Sequence, residues 1–177
     1  MKKMFWIDME MTGLNVQNEV IIEVAAIVTD LSLKELERYH AVVKQPEEKL
    51  KAMDEWNQKH HQMSGLLDLI PSGKSLEKVQ RDLLDLIGKH FVDEKVVLAG
   101  NSIGQDRLFI DKYLPQFAEK LHYRMIDVSS FKMIFLHMFG KVHKKKNVHR
   151  AVDDILESIE ELQYYLEHIS LPRLSIS

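Results

Sequence analysis

Apolar residues open the chain almost without interruption, and two acids break in among them. Phe5-Trp6-Ile7-Asp8-Met9-Glu10-Met11 reads as a strand, and Gly13 stops the run. Val20 to Val28 is a second strand, apolar enough to be largely buried. The short connection Asn15-Val16-Gln17-Asn18 suits a hairpin, and the loose alternation from Glu35 to Val43 predicts a third strand. The chain thus begins as an antiparallel meander. From Pro46 to His61 it turns polar, with Trp56 inside, and Pro71-Ser72-Gly73-Lys74 is a break. Ser75 caps a helix whose apolar positions Leu76, Val79, Leu83, Leu84 and Ile87 follow helical spacing. Val96 to Ala99 is a short buried strand ending at Gly100-Asn101-Ser102, a helix begins near Gln105, and Met125 to Val128 is another short strand.

Phe131 to Phe139 is apolar around much of its girth, which predicts a helix with core on one side and a subunit interface on the other. Phe135 and Met138 are the positions that would tell those two faces apart. The last helix runs from about Arg150 to His168, with Val152, Ile155, Leu156, Ile159, Leu162 and Leu166 as its buried stripe. Strands in a meander, then strands alternating with helices, predict an α/β fold with a mixed sheet in a single domain over residues 1–177. The tail from Leu171 to Ser177 carries no readable pattern.

Composition narrows the classes. Hydrophobic residues make up 45% and charged residues 29%, as in an ordinary globular domain. No apolar run approaches the roughly 20 residues that cross a bilayer. The first strand follows Met1-Lys2-Lys3 at once, leaving no room for a leader, so a cytoplasmic location is expected. The absence of cysteine excludes disulfides, thiolate metal sites and a thiol nucleophile. A net charge of −3 argues against a broad basic surface for long nucleic acid, although not against a small phosphorylated substrate. The basic run Lys141, Lys144, Lys145 and Lys146 reads equally well as a solvated loop.

Asp8 and Glu10 stand two apart on a strand and so leave the same face. Two adjacent carboxylates repel, and a hard divalent cation is the simplest way to neutralise them. Asp106 sits just after a strand end, and His149 with Asp153-Asp154 marks the start of the last helix. Four carboxylates and a histidine drawn from strand ends and helix starts suit a two-metal phosphodiester site, with the histidine taking a proton from the attacking water. Spacing leaves open whether Asp153, four residues from His149, or Asp154, five away, belongs to the set. It also leaves open an acidic solvent-facing strand and a structural His149.

Asp8-x-Glu10-x-Thr12-Gly13-Leu14, the run from Gly100 to Arg107, and His149-x-Ala151-x-x-Asp154 resemble the three exonuclease motifs of the DEDD superfamily, histidine branch. The wording around them is narrower. Trp6 to Leu14, His122-Tyr123-Arg124 with Asp127-Val128-Ser129, and Ala151 to Ile155 with Glu157-Ser158 resemble the oligoribonuclease family, over about Met4 to His168. The resemblance implies a ribonuclease H-like fold, a homodimer, and degradation of very short RNA from the 3′ end to 5′-mononucleotides, with linear diribonucleotides preferred. It implies that Asp8, Glu10, Asp106 and Asp154 hold two Mg²⁺ or Mn²⁺ ions, with His149 as general base, and so selects Asp154 over Asp153. Leu14 would wedge against the bases and Trp56 would stack near one, with His61 close by and Asn101, Ser102 and Gln105 lining the same region. Tyr123, Arg124, Ser129 and Ser130 would lie near the dimer interface, where the partner closes the site around the 5′ end. The chain is shorter than many members of that family between Phe139 and His149. The competing readings are an exonuclease that trims longer RNA or DNA ends and a non-catalytic dinucleotide-binding dimer.

Overall fold

The computed structural model of the chain describes residues 2–144 and 150–170. Its centre is a five-stranded sheet in the order β3-β2-β1-β4-β5. Strands β1 (Lys3–Met11), β2 (Ile21–Asp30) and β3 (Glu35–Val42) form the antiparallel meander. Strands β4 (Val96–Gly100) and β5 (Leu121–Asp127) then join β1 in parallel. The mixed sheet read from the sequence is therefore the one observed.

Strand alternation divides the core in two. Phe5, Ile7, Met9 and Met11 face one layer, built on helices α4 (Leu76–His90), α5 (Gly104–Tyr113) and α6 (Pro115–Ala118). Met4 and Trp6 face the other, built on α7 (Val128–Phe139) and α8 (Ala151–Glu167). The indole of Trp6 is fully buried, and its N–H donates to the Thr29 hydroxyl at 3.0 Å. Asp8 and Glu10 continue the row of Met4 and Trp6, so they emerge at the end of the central strand on the α8 side. At the neighbouring strand end the backbone runs too close for a side chain: a Cβ on Gly100 would lie 2.9 Å from the Ile7 carbonyl oxygen.

Five elements differ from their sequence reading. The polar stretch holds helices α1 (Glu47–Lys51) and α2 (Glu55–Met63), with α3 (Leu66–Leu69) just after it, and none of the three shows a long apolar periodicity. Asp54 supplies the cap of α2, accepting from the Asn57 N–H at 2.8 Å. Strand β5 begins at Leu121 rather than Met125, because its first half is an exposed edge whose polar residues mask the strand. Helix α7 begins at Val128 rather than Phe131, since Asp127 caps it through the Ser129 N–H.

Candidate active site

The acids come from three different elements. Asp8 and Glu10 come from β1, and Asp154 from the first turn of α8, where its N–H donates to the Arg150 carbonyl at 2.9 Å. One carboxylate oxygen from each of Asp8, Glu10 and Asp154 lies within 4.8 Å of the others, and all three side chains are half-buried. Asp154 rather than Asp153 joins this group; Asp153 instead acts electrostatically on Arg150 and Arg38. Asp106, in the first turn of α5, is buried and accepts a hydrogen bond from the Met9 N–H. It thus reaches the same strand but stands outside the group of three, while its charge is still felt at Glu10. His149 lies outside the described residues, as do Lys145 and Lys146 of the basic run.

Crowding shows in the titration. Burial, and then Asp154, Glu23 and Asp106, push the Glu10 carboxyl from its ordinary 4.5 up to about 8, with Arg150 opposing them. Burial also raises Asp106, and the neighbouring Asp127 adds to that rise. Oxygen-only donors that resist sharing negative charge fit hard divalent cations, so the residues present suit the metal on which the resemblance depends. A measurable consequence follows at neutral pH. Glu10 is mostly protonated in metal-free protein at pH 7, so titrating with Mg²⁺ should release roughly one proton and affinity should rise as pH approaches 8. Because its folded pKa is raised, metal-free protein should also lose stability as pH climbs from 4.5 towards about 8. Calorimetry in buffers of different ionisation enthalpy reads the proton directly, and an absence of release would contradict the crowding of Glu10.

Two large apolar side chains expected to meet the bases are exposed. Leu14 is 75% exposed and Trp56 69%, far more than large side chains of a core. Leu14 rides on the β1–β2 connection, which α5 straps down. Gln105 donates to the Leu14 carbonyl at 2.6 Å, Lys112 to the Val16 and Gln17 carbonyls, and the Tyr113 hydroxyl to the Glu19 carbonyl. Trp56 lies flat on His60, with centroids 4.7 Å apart and planes at 9°. The next residue, His61, is buried and anchors α2 to the end of β1 by donating from Nε2 to the Met11 carbonyl at 2.9 Å. A carbonyl can only accept, so Nδ1 carries no proton; it faces Glu10 at 4.0 Å, and burial holds the ring neutral.

The other candidates divide into two groups. Asn101 and Ser102 lie at the end of β4, beside the acids but tied to structural partners. The Asn101 amide nitrogen donates to Ser158 and Glu161 on α8, and the Ser102 N–H to Asp127. Ser129 likewise donates its hydroxyl to Asp127 at 2.6 Å, while Ser130 is exposed beside it. Tyr123 and Arg124 are not brought to the acids of their own chain. They lie on the outer strand, two positions from β1 and nearer its start, with Tyr123 75% exposed and the Arg124 guanidinium 5.3 Å over its ring.

Two acids of this region have no role assigned from the sequence. Asp127 joins the β4–α5 turn to the start of α7, and the following Val128-Ser129 was its only signal. Glu23 is fully buried beneath Arg150, and the signal was plain: one acid inside the apolar run from Val20 to Val28.

The comparisons with known proteins show a family. Residues 5–162 match the model of the exonuclease family RNase_T. The mitochondrial oligoribonuclease of Homo sapiens is 40% identical over 174 residues, covering 95% of this chain and 73% of its own. The oligoribonuclease of Tropheryma whipplei is 44% identical over 168 residues, covering 92% and 91%. That of Francisella tularensis subsp. holarctica is 42% identical over 169 residues, covering 94% and 95%. Among solved structures, the zinc-bound complex of E. coli exonuclease I with single-stranded DNA superposes with a TM-score of 0.74 at 13% identity, over 94% of this chain. Exonuclease I of Methylocaldum szegediense gives 0.70 at 13% identity, over 96%. This chain spans 41% of each of those longer proteins, and at such identity the likeness speaks for the fold alone. A ribonuclease H-like exonuclease fold, three acids converging at the end of its central strand, and identity above 40% along nearly the whole length lead to one assignment: the chain belongs to the oligoribonuclease family of the DEDD exonuclease superfamily, metal-dependent hydrolases of phosphodiester bonds.

Proposed function

We propose that this 3′-to-5′ exoribonuclease acts on very short RNA, diribonucleotides above all, and releases 5′-mononucleotides as a cytoplasmic homodimer using two Mg²⁺ or Mn²⁺ ions per site. The observation that carries the reading is the pairing of a three-acid cluster with exposed Leu14 and Trp56, on a chain whose net charge is −3. Such a surface suits local grip on one or two bases rather than a long phosphate track.

Asp8, Glu10 and Asp154 would hold the ions, with Asp106 completing the set. When bound, those ions would supply Lewis-acid stabilisation of charge on the scissile phosphate and make the attacking water more acidic. His149 takes the proton of that water. Trp56, braced by His60, presents its open face to a base, and Leu14 wedges against the other. His61, neutral and buried, would act behind the substrate by holding α2 against the end of β1. Asn101, Ser102 and Gln105 shape the wall between α5 and α8. Since Tyr123 and Arg124 lie away from the acids of their own chain, their contribution comes from the partner subunit, together with Ser129 and Ser130, at the 5′ end.

Helix α7 supplies the surface for such a dimer. Phe135 is buried against Tyr165, with centroids 4.8 Å apart, so it belongs to the core. Met133, Ile134, Met138 and Phe139 face outward, and Met138 is 72% exposed. Met138→Glu is expected to give a folded monomer by sedimentation, with Mn²⁺-dependent release of mononucleotide from a dinucleotide reduced to a small fraction. A fully active monomer would refute the shared site, and an unmodified protein that releases no mononucleotide would refute the function.

A further inference from the structure

Glu23 is fully buried near the start of β2, directly across from Glu10 in the strand register. Its carboxylate collects donors from three residues. Arg150 donates from Nε at 3.0 Å and Nη2 at 2.6 Å, His40 lies at 2.7 Å through Nε2, and the Ala151 N–H donates at 3.3 Å. Burial alone would raise the Glu23 carboxyl, yet the bonds from His40 and Arg150 outweigh it and hold the group below its ordinary range.

These contacts fall at a decisive point. Helix α8 starts at Ala151, and Arg150 at its N-cap offers no side-chain cap. The first N–H groups of a helix need partners from elsewhere, and Glu23 supplies one from the sheet. The Arg150 carbonyl in turn accepts the Asp154 N–H, so the residue gripped by Glu23 begins the turn that carries Asp154. A buried ion pair is a poor source of net stability, since apolar replacements often serve as well. It does enforce one arrangement, because displacing either partner leaves the other buried and unpaired.

We propose that Glu23 and Arg150 form a clamp that fixes the start of α8 on the sheet and so sets the spacing of Asp154 from Asp8 and Glu10. Neither residue touches the reacting atoms; both are positioning residues for the metal site. The inference rests on the reading of the three acids as metal ligands.

The test is Mn²⁺ binding to metal-free protein, followed by electron paramagnetic resonance, with circular dichroism to confirm folding. E23Q keeps the shape and removes the charge, and R150K, the milder change, keeps the charge and removes the planar fork. Each should bind Mn²⁺ roughly 10–100-fold more weakly, the usual loss when a partner behind the ligands is removed. The double variant should be no worse than the weaker single one, because the two act as a unit. T29V, which breaks the buried bond to Trp6, should lower the melting temperature without changing Mn²⁺ affinity. If unmodified protein binds no Mn²⁺, the metal reading itself falls. If it binds and folded R150K binds as tightly, or T29V loses affinity in the same proportion, the clamp alone is overturned.

Discussion

Asp154→Ala is expected to reduce turnover to the uncatalysed background while leaving the metal-free fold as stable as before, or slightly more so. Two effects oppose each other in that stability. An acid in the first turn of a helix gains about 0.3–1 kcal/mol from the helix dipole, which alanine forfeits. Against this stands the charge of Asp154 itself, which after burial does most to lift Glu10 to about 8. Removing one carboxylate relieves that repulsion, so the balance tips towards stability as Glu10 returns towards an ordinary value. Activity has no such compensation, because the remaining acids cannot replace the geometry of the full set. Asp8→Ala should lose activity in the same way and leave the fold intact. Thermal melts in chelator and turnover with Mn²⁺ separate the two outcomes, and near-normal activity in either variant would remove these acids from the chemistry.

His149→Ala should cost roughly 10²–10⁴-fold in rate, the usual worth of a positioned general base. The base must be neutral to accept a proton, so the unmodified enzyme should gain activity as pH rises through the imidazole range, about 6.5 when unperturbed. Nearby carboxylates would raise that value and bound cations would lower it. The variant should lose this acidic limb along with its rate. A pH–rate profile for His149→Ala that keeps the same limb would assign it to another group, with the protonated Glu10 as the first suspect.

Where function demanded a fixed pattern, the sequence could be read closely. Alternation in β1 put Asp8 and Glu10 on one face because Met4 and Trp6 must be buried on that same side. Apolar periodicity found α4 and α8 because each buries a full stripe. Helix α2 escaped notice since its main anchor is a polar one, the bond from His61 to the Met11 carbonyl. The outer half of β5 escaped because an edge strand can afford exposed Tyr123 and Arg124. The helix from Phe131 to Phe139 was seen as two-faced, but only packing against Tyr165 shows that Phe135 turns inward. Spacing could not choose between Asp153 and Asp154, since the chain enters α8 from an extended Arg150 and four-residue helical counting from His149 does not apply. Glu23 was visible as an anomaly in an apolar strand, yet its partner Arg150 lies 127 residues away, and no local pattern connects them.

Recognition of very short RNA is the central claim, and it rests on magnitudes. Long nucleic acid gains affinity by neutralising many phosphates, which a chain of net charge −3 is poorly equipped to do. Stacking a base on an aromatic contributes about 1–3 kcal/mol, which exposed Trp56 would supply for one base, while Leu14 would add apolar packing against the other. A partner subunit closing the 5′ end would then hold a dinucleotide completely and exclude or strain anything longer. The direct test is single-turnover cleavage, with Mn²⁺, of 5′-phosphorylated RNAs from two to seven nucleotides long. The dinucleotide should be cleaved faster than the seven-nucleotide RNA by a wide margin, whereas equal rates across the series would contradict the closed site and favour an exonuclease that trims ends of any length.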